Sequence, residues 1–418
     1  MFTHWFWHLS LLDGWLPVVV AVAAWGALVS GVAWWRRAIW HWVLVAMAAG
    51  ALVALASWSL DVQARVGSTY PRSFLAWAAL PLFALGAALW QWTRVEWWRR
   101  LAVLVSAPLL IAFGGIQINA HYGYLPTVGD LLGAPLPGQV NVSQLARAPT
   151  GRSPRIGRIA NIDIPAPVSQ FVHRRGFVWL PPSYFARSRS TLSVLMLLPG
   201  TPGAPSDWLR GGRAFAVANR WAAKHHGDAP VMVLPDANGY ITGDTECVDS
   251  PRGPAETYLT VDVPVFMHER FGVPLDPRRW AVAGLSEGGT CALDLAARHP
   301  ERFATFADYS GDAAPRIGSQ ANTIRVLYGG SKRQSALHDP TTWFRLDAAY
   351  GVEGVVAVGS NDTGYLQRER RVVDAALHAQ MHVSLMIVRG GDHSFRFWAH
   401  ALAATYPWLV ARLESATP

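Results

Sequence analysis

The first 120 residues alternate between long apolar stretches and short polar joints, with no sign of a helix that keeps one side in water. Apolar runs extend from Leu16 to Trp35, Ala38 to Leu60, Ser73 to Trp92 and Leu101 to Ala120. Each is close to the roughly 20 residues a helix needs to cross a hydrocarbon core. None places polar residues every 3.6 positions, so lipid is the expected surrounding. Residues 1–120 are therefore predicted to form four transmembrane helices. Residues 121–160, rich in Pro, Gly, Ser and Arg, read as a linker. From 161 to 418 short apolar runs alternate with helical patterns. Strands are predicted at Phe177–Leu180, Ser193–Leu198, Val231–Leu234, Trp280–Ala283, Phe303–Tyr309, Gly354–Val358 and His382–Val388; Thr323–Tyr328 fits strand or helix. Helices are predicted between them, among them Gly289–Arg298 and Leu366–Gln380. Such alternation implies a mostly parallel sheet covered on both faces.

Composition supports this division. Charged residues make up only 15% of the chain, against about 25% in soluble domains. Of 21 Trp, 14 precede residue 100, and Trp concentrates at membrane interfaces. The net charge of +8 comes from scattered Arg and matches no nucleic-acid module, so no nucleic-acid partner is expected. Arg36 and Arg37 follow the first apolar run; Arg94, Arg99 and Arg100, against Glu96, follow the third. The second is followed by Arg65 and Arg72 against Asp61. The positive-inside rule then puts the first and third joints in the cytoplasm and residues 161–418 on the outer side of the cell membrane.

The chemistry concentrates at Gly284-Leu285-Ser286-Glu287-Gly288-Gly289, which directly follows one predicted strand and directly precedes a predicted helix. That is the setting of the nucleophile elbow of α/β-hydrolases, with Ser286 as nucleophile. The base in this fold follows the last strand, and His393 alone among 14 His occupies that place. The acid follows the penultimate strand, where Asp362 stands; Glu369, on the next helix, and Asp392, adjoining His393, are its rivals. Two backbone N–H groups must meet the developing oxyanion. Glu287 supplies one, and Thr201, in the loop Pro199-Gly200-Thr201-Pro202-Gly203, is the candidate for the other. The implied reaction is acyl transfer through an acyl-enzyme, which needs no metal or organic cofactor. The two cysteines, Cys247 and Cys291, are too few for a zinc site. Outside the cell they are disulfide candidates; two unpaired buried thiols is the alternative.

At these residues the chain resembles the esterase family that includes the antigen 85 mycolyltransferases and esterase D. The resemblance covers about residues 160–415. It is carried by Leu197-Leu198-Pro199-Gly200, Ala283-Gly284-Leu285-Ser286 and His393-Ser394-Phe395-Arg396-Phe397-Trp398. The last is similar to the His-Ser-Trp-x-x-Trp of the mycolyltransferases, and membrane helices before such a domain resemble actinobacterial esterase-like proteins. There are two departures. Gln367 stands where the mycolyltransferases carry their Glu, and Glu287 replaces their apolar residue after the nucleophile. The resemblance implies a serine esterase, with membrane lipids or lipid-linked esters as partners; an acyltransferase and a decayed membrane interaction protein are the alternatives. Trp398, Asp236 and Glu246 are candidate substrate contacts. The acids of the loop from Pro235 to Asp249, with Glu287, suggest attraction of a cationic group such as an aminoacyl ester.

Overall fold

The computed structural model describes residues 2–32, 39–59, 71–146, 153–186, 192–345 and 351–415. It divides into two compact units, Met1–Ala134 and Pro135–Pro418. The joints that carry Arg36, Arg37, Asp61 and Arg65 lie outside the described residues.

The first unit contains α1 (Trp15–Gly31), α2 (Ile39–Ser59), α3 (Ser73–Gln91) and α4 (Trp97–Tyr122). Of the four expected spans, α2, α3 and α4 are long and apolar enough to cross a membrane. The first falls short. Helix α1 has 17 residues, about 25 Å at 1.5 Å per residue, against a core of about 30 Å. Small residues bring these helices together: a Cβ on Gly31 would lie 2.6 Å from Val103 N, and one on Gly86 2.7 Å from Val45 Cγ1. Close approach at small residues is the packing mode by which helices associate where the hydrophobic drive between them is absent. Large apolar side chains face outward instead, with Trp58 80% and Leu89 81% exposed. Surface of that kind is stable against lipid and costly in water. The polar Gln91 is buried, where its Nε2 donates to Gly31 O at 2.8 Å.

The second unit is built on eight strands: β1 (Arg158–Ile162), β2 (Gly176–Leu180), β3 (Val194–Leu198), β4 (Val231–Leu234), β5 (Trp280–Leu285), β6 (Thr305–Tyr309), β7 (Glu353–Gly359) and β8 (His382–Val388). Their order is β1-β2-β4-β3-β5-β6-β7-β8. β2 pairs antiparallel with β1 and β4, and all other pairs are parallel. β3 and β5 are buried along their whole length, as their unbroken apolar runs require. One apolar cluster, which includes Val194, Met196, Val282 and Phe306, fills one face of the sheet. On the other face, α5 (Ala214–Lys224) joins α10 (Phe395–Ser415), whose Ala401, Leu402, Tyr406, Leu409 and Leu413 recur at helical spacing. Between these in the chain come α6 (Val263–Phe271), α7 (Glu287–Arg298), α8 (Gln320–Tyr328) and α9 (Thr363–His378), of which α6, α7 and α9 pack on the first face.

Two readings change. Strand β1 begins inside the stretch expected to be linker: Ile159, Ala160 and Ile162 are buried where β1 pairs with β2 and with the segment around Gln139. Thr323–Tyr328 is helical. The Ser319 side chain accepts the Asn322 N–H at the helix start, and Gly329, at φ 57°, ends it; such caps outweigh the β-branched residues between them.

Candidate active site

Ser286 occupies the turn between β5 and α7 with φ 54° and ψ −122°, a strained conformation of the sort found at functional sites. The turn closes because the flanking positions lack side chains. A Cβ on Gly284 would lie 1.8 Å from Gly288 O, and one on Gly288 2.4 Å from Leu198 O. The Ser286 N–H donates to Tyr309 O at 3.0 Å, tying the elbow to β6.

Ser286 Oγ lies 2.9 Å from His393 Nε2, and His393 Nδ1 lies 2.8 Å from Asp362 Oδ2. With Nδ1–H donated to Asp362, Nε2 presents its lone pair to the serine hydroxyl. The loops that bring these groups together lock to one another: Asn361 N–H donates to Gly391 O and Ser360 N–H to Val388 O, both at 2.9 Å. A Cβ on Gly359 would lie 2.2 Å from Gly391 O, so only glycine permits this approach.

The rival acids have other partners. Glu369 is fully buried facing Asp308. Burial first, and then the Asp308 carboxyl beside it, keeps Glu369 well above the ordinary carboxylate range. Asp392 accepts from the Ser394 hydroxyl.

The two candidate oxyanion donors come from segments far apart in the chain. Glu287 is the first residue of α7, where an N–H has no acceptor within the helix. Thr201 follows the end of β3, next to Gly200, whose Cβ would lie 3.0 Å from Ser286 Cβ. Side chains join the two segments. Glu287 Oε2 contacts Thr201 Oγ1, and Asn238 Nδ2 lies 2.7 Å from Glu287 Oε2 and 2.9 Å from Thr201 Oγ1.

Of the candidate substrate contacts, Trp398 is buried edge-on against the His393 ring, 4.9 Å between centroids. Asp236 is fully buried, taking the Arg174 side chain at 2.6 and 2.9 Å. Glu246 is also buried, and its N–H donates to Glu287 Oε1 at 3.1 Å. The expected attraction for a cation loses most of its basis. Asp249 binds Thr257, Asp236 is neutralised by Arg174, and burial pushes Asp244 up to about 6 and Glu246 well above the usual range. Cys247 and Cys291 form a disulfide that joins the loop after β4 to α7.

Sequence reasoning missed Tyr365, stacked on His393 at 4.4 Å and 21°. Its position one turn after Asp362, on the helix the acid leads into, is the signal that could have marked it. Also missed were Asn238, whose part depends on a contact across 49 residues of chain, and Arg174.

Comparisons with known proteins show the family and the fold of this unit. The family model described as putative esterase matches residues 172–409, more than half of the chain. An uncharacterised protein of Corynebacterium glutamicum is 30% identical over 424 residues, covering 97% of both chains. An S-formylglutathione hydrolase of Paracoccus denitrificans is 25% identical over 218 residues, 47% of this chain and 76% of the relative. Among solved structures, a ferulic acid esterase superimposes with TM-score 0.53 at 21% identity, over 62% of this chain and 99% of its own. At that identity the likeness is one of fold. The family match and the resemblance to the esterase family read from the motifs coincide: this chain belongs to the putative-esterase family and is an ester-acting serine hydrolase or acyltransferase.

Proposed function

We propose that this protein is a membrane-anchored serine esterase that cleaves lipid-linked esters of the cell envelope on the outer side of the membrane. The observation that carries the reading is the unbroken chain Ser286 Oγ, His393 Nε2, His393 Nδ1, Asp362 Oδ2, with links of 2.9 and 2.8 Å. In this mechanism His393 Nε2 takes the Ser286 proton as Oγ attacks the ester carbonyl. The N–H groups of Glu287 and Thr201 receive the oxyanion. The tetrahedral intermediate collapses, His393 passes its proton to the leaving alkoxide, and Ser286 keeps the acyl group. Water, deprotonated by His393, then releases the acid and restores Ser286. Asp362 orients the imidazole and stabilises its cation throughout.

Three observations support the finer points. Helices α2, α3 and α4 have the length and apolarity of membrane spans. The Cys247–Cys291 bond fits an oxidising compartment. The contact of Asp362 with His393 supports hydrolysis over mycolyl transfer, because the position that carries the mycolyltransferase Glu is Gln367 here. The test is product analysis with purified full-length protein in envelope-lipid micelles, with and without an added sugar alcohol. Free carboxylic acid, formed in both cases and lost in Ser286→Ala, is expected. Acylated alcohol as the main product would shift the assignment to an acyltransferase.

A further inference from the structure

The residue after Ser286 brings a carboxyl to the site as well as its backbone N–H, and the protons around that carboxyl can be counted. Asn238 Oδ1 accepts the Thr245 N–H at 3.2 Å, so Nδ2 is the atom turned toward Glu287 Oε2 and Thr201 Oγ1. Thr201 Oγ1 also lies 2.6 Å from Gly243 O. A carbonyl oxygen carries no proton, so the one proton of the Thr201 hydroxyl goes to Gly243. The Asn238 amide donates to the remaining oxygens. The close contact of Thr201 Oγ1 with Glu287 Oε2 then needs a proton that only the carboxyl can supply.

We propose that Glu287 is a positioning residue that works as a neutral carboxylic acid: it donates its Oε2 proton to Thr201 Oγ1 and so aligns the Thr201 backbone N–H with its own as the two halves of the oxyanion hole. The proposal rests on the serine-esterase reading of Ser286. It explains why an acidic residue occupies a position that offers it no counter-ion among the described residues. The two donors lie 86 residues apart in the chain, and this side-chain contact is a direct bond between their segments.

The surroundings favour the proton. Burial above all, with the charge of Asp244, pushes Glu287 up to about 8 against the hydrogen bonds of Thr201, Asn238 and the Glu246 N–H. Asp244 and Glu246 face it from the loop after β4, with Arg252 beside Asp244. Asp312, after β6, acts on Glu246 and is paired with Arg316 and Arg368. His393, Asp362 and Tyr365 complete the site from the C-terminal loops. The functional form is the protonated one, so its contribution is whole at neutral pH and is lost as pH rises through about 8.

The experiment compares wild type, Glu287→Gln and Glu287→Ala as full-length protein in detergent, with kcat and KM for a short-chain ester measured across the neutral and alkaline range. Wild-type kcat should fall above about pH 8 while KM stays level, because oxyanion donors act in the transition state. Glu287→Gln keeps a donor toward Thr201 and cannot titrate, so this alkaline fall should disappear. Glu287→Ala should lose roughly 10²-fold in kcat, the usual loss for one oxyanion donor. The same alkaline fall in Glu287→Gln, or a change confined to KM, would overturn the proposal. An infrared difference spectrum of wild type against Glu287→Ala gives a readout independent of turnover. A protonated carboxyl at neutral pH that becomes a carboxylate on alkalinisation is expected, and a carboxylate already at neutral pH overturns the proposal. Ser286→Ala as active as wild type would instead overturn the serine-esterase reading, and the infrared result would still decide the state of Glu287.

Discussion

Removing the Cys247–Cys291 bond by the double substitution Cys247→Ala, Cys291→Ala probes how the loop after β4 is joined to the elbow helix. The bond closes a segment of 44 residues. In the chain-entropy treatment, such a closure destabilises the unfolded state by about 4 kcal/mol. Both cysteines are only 1% exposed, so the alanines leave small voids and the entropic effect dominates. For a unit of this size each kcal/mol corresponds to about 2 °C, which gives a drop in Tm of about 8 °C. The loop also carries Glu246 and Cys247 at φ 49° and 54°. Its Glu246 N–H binds Glu287, so kcat should fall along with stability. The assay is thermal unfolding of the full-length protein in detergent by Trp fluorescence, with ester turnover measured well below the transition. Wild type treated with reductant under unfolding conditions and then refolded serves as a second arm. An unchanged Tm together with full turnover would show that this loop is fixed without the bond.

Asp362→Asn should lower kcat by roughly 10³–10⁴-fold, since the imidazole loses its orienting charge. Glu369→Gln should stay within a few fold of wild type, because Glu369 faces Asp308 and not His393, and burial shifts its carboxyl toward the neutral form that Gln mimics; the reverse ranking in steady-state kinetics would move the acid to Glu369. Gly284→Ala should abolish both turnover and labelling of Ser286, because its Cβ overlaps Gly288 O; wild-type labelling would mean that the elbow opens freely.

Local signals were legible and distant ones were not. Strands β4 and β8 match their predicted residues end to end, since a short apolar run between turn residues marks a strand by itself, whether buried throughout as β4 is or largely accessible as β8 is. Ser286 and His393 were legible because the elbow is a contiguous motif and chain order places the base after the last strand. Asp362 stood out for the same reason, although only the folded loops show that it, and neither Glu369 nor Asp392, meets His393. Strand β1 was hidden because its apolar positions lie among Arg and Pro, and its pairing with β2 is not written in either segment. The acids of the loop after β4 misled because charge alone does not reveal partners. Asp236 meets Arg174 across 62 residues, and Glu287 meets Asn238 across 49. The first apolar run looked like a span because hydropathy continues past the point where α1 ends at Gly31.

The central claim, that Ser286 is the nucleophile of a working Ser–His–Asp site, is tested most directly by reacting the full-length protein with a fluorophosphonate and locating the adduct by peptide mass spectrometry. The account predicts one adduct, on Ser286, formed as ester turnover is lost and absent in His393→Ala. An active protein that loses no turnover, with no adduct or one on another residue, would contradict it.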